Sequence, residues 1–76
     1  MLILYTKDNC EYCEKVKAAF LDDRVVYEER NIANPEFLKE VQAHGARTMP
    51  FLFDTSANTA IRESDEIIDY VREYSF

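Results

Sequence analysis

The chain has no second pair of cysteines, no basic stripe, a single glycine and no long apolar run. Each shortage removes a class of protein. With only Cys10 and Cys13 available, a zinc site would have to be completed by His44, the lone histidine, and carboxylates, so no metal is expected. A disulfide between residues so close in sequence restricts the unfolded chain little, which makes a purely structural staple the weaker reading. Nine Lys and Arg against fifteen Asp and Glu leave a net charge of −6. Such a surface cannot neutralise phosphates, so neither nucleic acid nor an anionic membrane is an expected partner. No apolar stretch approaches the roughly 20 residues that a spanning helix needs. Met1 leads directly into Leu2-Ile3-Leu4-Tyr5, and Lys7-Asp8 interrupts the run, so the chain begins without a basic leader and a cytoplasmic location is expected. No repeat, linker or low-complexity stretch divides the 76 residues, and one domain spanning 1–76 is expected. At this size only about 60% of the unfolded surface is buried on folding, so every apolar position matters.

What the chain does have is a regular succession of elements. Leu2 to Tyr5 is apolar on both faces, the pattern of a central strand covered by helices on either side. Cys13, Val16, Ala19 and Phe20 then recur at helical spacing, with Glu14, Lys15 and Lys17 outward, and predict a helix that begins at or just after Cys10 and closes at Asp22-Asp23. Val25-Val26-Tyr27 followed by Glu28-Glu29-Arg30 predicts a second strand, parallel to the first because crossovers of this kind are right-handed. Asn34-Pro35 is a helix start, Phe37, Leu38 and Val41 its apolar stripe, and Gly45 after His44 its left-handed stop, which gives a helix over 35–44. Phe51-Leu52-Phe53 and Thr59 to Arg62 read as a hairpin. Ser64 then caps a last helix with Asp65 and Glu66 in its first turn and Ile67, Ile68 and Val71 on its buried face. The order is βαβαββα.

Cys10-Glu11-Tyr12-Cys13 is therefore a Cys-x-x-Cys motif at a strand-to-helix junction. Free amides and the macrodipole at a helix start stabilise an anion, so Cys10 is the candidate nucleophile with a lowered pKa, and Cys13, one turn further in, the resolving thiol. Lys7 could add a positive charge near the thiolate or be an ordinary loop lysine, and Glu11 would oppose it. Tyr12 is placed on the rim of the site. His44 is read as a helix-terminal residue interacting with the dipole rather than as a base.

Tyr5-Thr6-Lys7 ahead of Cys10-Glu11-Tyr12-Cys13 resembles the Y-[ST]-K-x-x-C-P-Y-C segment of glutaredoxins, and Gly45-Ala46-Arg47-Thr48-Met49-Pro50 resembles their G-A-R-T-V-P segment. The resemblance implies the thioredoxin-like glutaredoxin fold, an α/β chain with a mixed four-stranded sheet flanked by three helices. It also implies a cis bond between Met49 and Pro50 facing the cysteines, which would leave the Met49 backbone free to pair with an extended substrate. Two departures stand out: Glu11 replaces the usual proline, and the Gly-Gly before the last helix is missing. In its place Ile61-Arg62-Glu63-Ser64-Asp65-Glu66-Ile67-Ile68 is similar to the E-S-x-x-I segment of glutathione transferase N-terminal domains, while Ser64-Asp65 resembles the glutaredoxin [ST]-D pair. Simple helix capping would account for the same residues.

By resemblance, Glu63, Ser64 and Asp65 would hold the γ-glutamyl end of glutathione, Lys7 and Arg47 its glycyl carboxylate, and Tyr12, Thr48, Met49 and Pro50 the stretch between. Glutathione is then the expected co-substrate, without a metal. The expected partners are glutathione and disulfide-bearing or glutathionylated proteins, with the chain acting as a monomer. Two alternatives stay open: a glutaredoxin-like protein reduced by thioredoxin reductase, and a transferase-like binding module without turnover, against which the intact cysteine pair argues.

Overall fold

A computed structural model describes residues 1–74. Its elements follow the expected order: β1 (Leu2–Thr6), α1 (Glu11–Asp22), β2 (Glu28–Asn31), α2 (Pro35–Ala43), β3 (Phe51–Asp54), β4 (Thr59–Ile61) and α3 (Ser64–Tyr74). The last two residues of the expected 1–76 domain lie outside the described residues. The sheet order is β2-β1-β3-β4, with β1 parallel to β2 and antiparallel to β3, and β3 antiparallel to β4. It is a mixed sheet flanked by helices, as the family resemblance implies.

Alternation along β1 divides the core in two. Leu2 and Leu4, with Leu52 across the ladder, meet Val16 and Phe20 of α1 and Ile67, Ile68 and Val71 of α3. Ile3 and Tyr5, with Phe51 opposite Tyr5, point the other way, towards Val41 of α2, and share that layer with Cys10, Cys13, Ala46 and Met49. Burial of each such large apolar side chain stabilises by roughly 1.5–3 kcal/mol. The hairpin end is pinned to α3, where the Tyr70 hydroxyl donates to Asp54 Oδ2 at 2.7 Å and the Ser56 amide donates to Oδ1 at 3.0 Å. Burial works to raise the Asp54 pKa, but these donors outweigh it and hold the carboxyl below its ordinary value.

Two helices end in the same way on different residues. After α2, Gly45 has φ +76°, its amide bonds to the Gln42 carbonyl and the Ala46 amide to the Val41 carbonyl, a Schellman stop on the expected glycine. After α1, Arg24 takes that place at φ +55°, with Arg24 bonded to Leu21 and Val25 to Phe20. This stop corrects the predicted second strand. Val25 is folded back onto the helix end, Val26 is 89% exposed, and pairing with β1 begins only at Glu28. Val25 and Tyr27 pack at the edge of the α1/α3 core, with Tyr27 edge-on to Phe20.

Two smaller expectations also change, while His44 stands at the helix end where it is expected. Leu38 is not part of the buried stripe of α2 but sits 37% exposed above Val41. The Ile67 amide bonds to the Glu63 carbonyl, so Glu63 occupies the cap position of α3 and Ser64 is the first helical residue. His44 is the C-cap of α2, its ring lying over Phe53 at 4.6 Å between centroids.

Candidate active site

β1 ends at Thr6, and the polar turn that follows puts Asn9 at φ +55°, a conformation that asparagine tolerates. The chain is thereby reversed into α1 with Cys10 as its N-cap. Cys10 supplies what a capping serine would: its Sγ accepts the Cys13 amide at 3.1 Å, and its carbonyl accepts the Glu14 amide at 3.1 Å. Cys10 and Cys13 are joined in a disulfide across a Cα–Cα distance of 5.2 Å. Cys10 is 8% exposed and Cys13 1%, so a thiol arriving from solvent meets Cys10 first. In the reduced state the amide aimed at Cys10 Sγ, with the α1 dipole behind it, favours a thiolate there.

The segment from Gly45 to Pro50, the second that resembles glutaredoxins, closes over this sulfur. The Met49–Pro50 peptide is cis, and the Met49 carbonyl oxygen lies 3.8 Å from Cys10 Sγ. In the core layer that contains the two cysteines, Tyr5 is buried near the end of β1 and donates to Glu40 at 2.6 Å, and Glu40 in turn accepts from Arg30 at 2.6 Å. Arg30 also pairs with Glu28 and lies over the Phe37 ring. Burial and the Glu40 carboxylate push the Tyr5 phenol up to about 12, while the Tyr5 and Arg30 donors hold Glu40 below the usual carboxylate range. At neutral pH the phenol stays neutral and Glu40 stays ionised, so the network keeps one protonation state.

Beside the disulfide is a cavity of about 500 Å³ lined by Lys7, Tyr12, Thr48, Met49, Pro50, Arg62, Glu63, Ser64 and Asp65. All but one of the residues expected to hold glutathione are brought together there. Arg47 is the exception: it lines a different hollow of about 480 Å³, with Ile32, Leu38, Val41, Gln42 and Gly45, that meets the first at Met49. Arg62 is a cation of the cavity that sequence reasoning passed over, although it directly precedes Glu63-Ser64. Equally unforeseen is the partner of Asp65. Lys15 of α1 reaches it at 2.5 Å, so that a residue read as merely outward ties α1 to the start of α3. Among the described residues, no group of His, Cys, Asp and Glu is placed to hold a metal ion, and no helix is long and apolar enough to cross a membrane.

Residues 2–56 match the glutaredoxin family model, a span that contains both cysteines and the cis-proline segment. The chain belongs to the glutaredoxin family. It is a glutaredoxin-like thiol-disulfide oxidoreductase built around a Cys-x-x-Cys disulfide. Among curated relatives it is similar to glutaredoxin 1 of Rickettsia felis, 32% identical over 78 residues, covering 95% of this chain and 72% of the relative. It is also similar to the glutaredoxin-like protein NrdH of Lactococcus lactis, 33% identical over 67 residues, covering 86% of this chain and 93% of the relative. Among solved structures, this glutaredoxin-family fold resembles the glutaredoxin-like protein NrdH-redoxin from Escherichia coli, with a TM-score of 0.78 at 21% identity over 92% of each chain. The thioredoxin-like protein BC3987 is similar at a TM-score of 0.76 and 16% identity, over 96% of this chain and 97% of that one.

Proposed function

We propose that this protein is a dithiol glutaredoxin, one domain over residues 1–76 acting as a monomer, that reduces protein disulfides or glutathione mixed disulfides and is itself reduced by glutathione. The supporting observation is the convergence of Lys7, Tyr12, Thr48, Met49, Pro50, Glu63, Ser64 and Asp65 on a single cavity beside Cys10. Its charges suit a tripeptide. Lys7 has no ion-pair partner among the described residues and suits the glycyl carboxylate, while the first amides of α3 suit the α-carboxylate and Asp65 the α-ammonium. A cytoplasmic site of action fits a cysteine pair that cycles rather than persists as a disulfide.

In the proposed cycle the Cys10 thiolate attacks one sulfur of a substrate disulfide, forming a mixed disulfide and releasing the other substrate sulfur as a thiolate. Cys13, deprotonated, then attacks Cys10 Sγ, which releases the second substrate thiol and leaves the Cys10–Cys13 disulfide. One glutathione thiolate opens that bond at Cys10, the more exposed sulfur, and frees Cys13. A second glutathione attacks the mixed disulfide, so that two glutathione thiols are oxidised to one glutathione disulfide and the protein dithiol is restored.

One contact favours a second reading, a glutaredoxin-like protein reduced by thioredoxin reductase: Asp65 already has a cationic partner in Lys15. That reading is also in keeping with the thioredoxin-like activity profile of the Escherichia coli NrdH-redoxin. The deciding experiment is turnover of a small glutathione mixed disulfide, with glutathione and with NADPH plus thioredoxin reductase as alternative reductants. Saturable glutathione-driven turnover is expected, with its KM raised about tenfold in Asp65→Asn through loss of a charge-assisted contact. Turnover supported by the reductase alone would overturn the glutathione reading in favour of the second.

A further inference from the structure

On the glutathione reading proposed above, the ammonium end of the tripeptide would meet the Lys15–Asp65 pair. Asp65 lies on a ridge, lining the cavity beside the disulfide on one side and a shallower hollow with Lys15, Ala18, Ala19 and Asp22 on the other. Lys15 comes over that ridge from α1 and meets Oδ1 at 2.5 Å. The fold has little need of this contact. The two side chains are 51% and 77% exposed, the range in which ion pairs contribute little, and α1 and α3 are already joined by Val16, Phe20, Ile67, Ile68 and Val71. The pair's consequence is therefore electrostatic: it neutralises the one carboxylate that the cavity and the ridge share.

Taking that cavity as a glutathione site, we infer that Lys15 is a specificity-determining residue, which competes with the α-ammonium group of glutathione for the Asp65 carboxylate. A cation arriving at a carboxylate that already has a partner gains less than one arriving at a free carboxylate, and the competition weakens as salt screens the charges. Lys15 thus lowers the protein's use of glutathione relative to reductants that have no α-amino group. It acts through Asp65 and touches none of the reacting sulfurs.

The test measures turnover of a small mixed disulfide against glutathione concentration in the wild type, Lys15→Gln, Asp65→Asn and the double variant, with dithiothreitol as a reductant lacking an α-amino group. In Lys15→Gln the KM for glutathione should fall about two- to fivefold at low salt, and the ratio of glutathione- to dithiothreitol-supported turnover should rise by the same factor. The gain should shrink in about 0.5 M salt and be absent when Asp65 is already Asn. A KM that stays constant overturns the inference and leaves the glutathione reading standing. A KM that rises also overturns it, because Lys15 would then be holding the α-carboxylate. If the wild type is inactive with glutathione and Lys15→Gln gains that activity, the competition is upheld and the glutathione reading of the wild type falls. If all variants turn over with dithiothreitol and none with glutathione, both fall.

Discussion

On one face of the sheet, two helices bring Val16, Phe20, Ile67, Ile68 and Val71 against Leu2, Leu4 and Leu52. On the other, α2 alone brings Val41 against Ile3, Tyr5 and Phe51, and the layer is completed by Cys10, Cys13, Ala46 and Met49. The buried residues of the first face are all hydrocarbon and carry much of the cohesion of the molecule. The second has fewer large side chains, and part of its cohesion comes from directed contacts, the Tyr5–Glu40–Arg30 network and the disulfide itself. In so small a protein the chemistry cannot be added to a finished core and is instead part of one. The reactive sulfurs are core atoms on one half of the molecule, positioned by a helix whose other residues belong to the opposite half.

The largest effects are expected at the cysteines. Cys10→Ser should abolish all thiol-disulfide exchange. Cys13→Ser should retain reduction of glutathione mixed disulfides, where glutathione itself resolves the intermediate, but lose reduction of protein disulfides. Parallel assays on the two substrate types distinguish the roles, and equal losses from both substitutions would remove the assignment. The counterpart on the hydrocarbon face is Phe20→Ala, expected to cost about 3–5 kcal/mol in chemical denaturation while the folded fraction keeps its activity.

Glu11 stands at the border of the two regions. It is the first residue of α1, a position where proline is well accepted, so Glu11→Pro removes a negative charge beside Cys10 without breaking the helix. The wild type should be the more reducing of the two, by up to about 30 mV, because the acid disfavours the thiolate. Equilibration with a glutathione buffer measures this, and equal potentials would mean that the helix amides dominate. The smallest effect is expected for the Tyr5–Glu40–Arg30 network. The Tyr5 pKa, raised to about 12 by burial and Glu40, gives a stabilisation that is complete below the ordinary value of 10.0 and is lost as pH rises through 12. Tyr5→Phe should therefore lower stability at neutral pH by about 1 kcal/mol and make the alkaline fall of Tm shallower than in the wild type.

The order of elements was legible in the residues alone, because periodicity, caps and turn residues are local signals: Asn34-Pro35 and Gly45 bracket α2 where expected, and the Cys-x-x-Cys motif falls at the start of α1. The sequence also contained most of the cavity as three separated segments, around Lys7 and Tyr12, around Thr48 to Pro50 and around Glu63 to Asp65. What it could not disclose were features whose cause lies elsewhere in space. Arg24 stops α1 in a left-handed conformation that few residues other than glycine take up, and packing of Val25 against the α1/α3 core accompanies that stop, so an apolar run with good strand propensity became a turn. Arg47 stands in the family-like segment with Thr48 and Met49 yet faces another hollow. Lys15 and Asp65 are fifty residues apart in the chain, and either alone reads as a solvated charge. Only the packing of α1 on α3 makes them a pair, because the crossing of two helices is set by the apolar side chains between them and not by the charges on their outer faces.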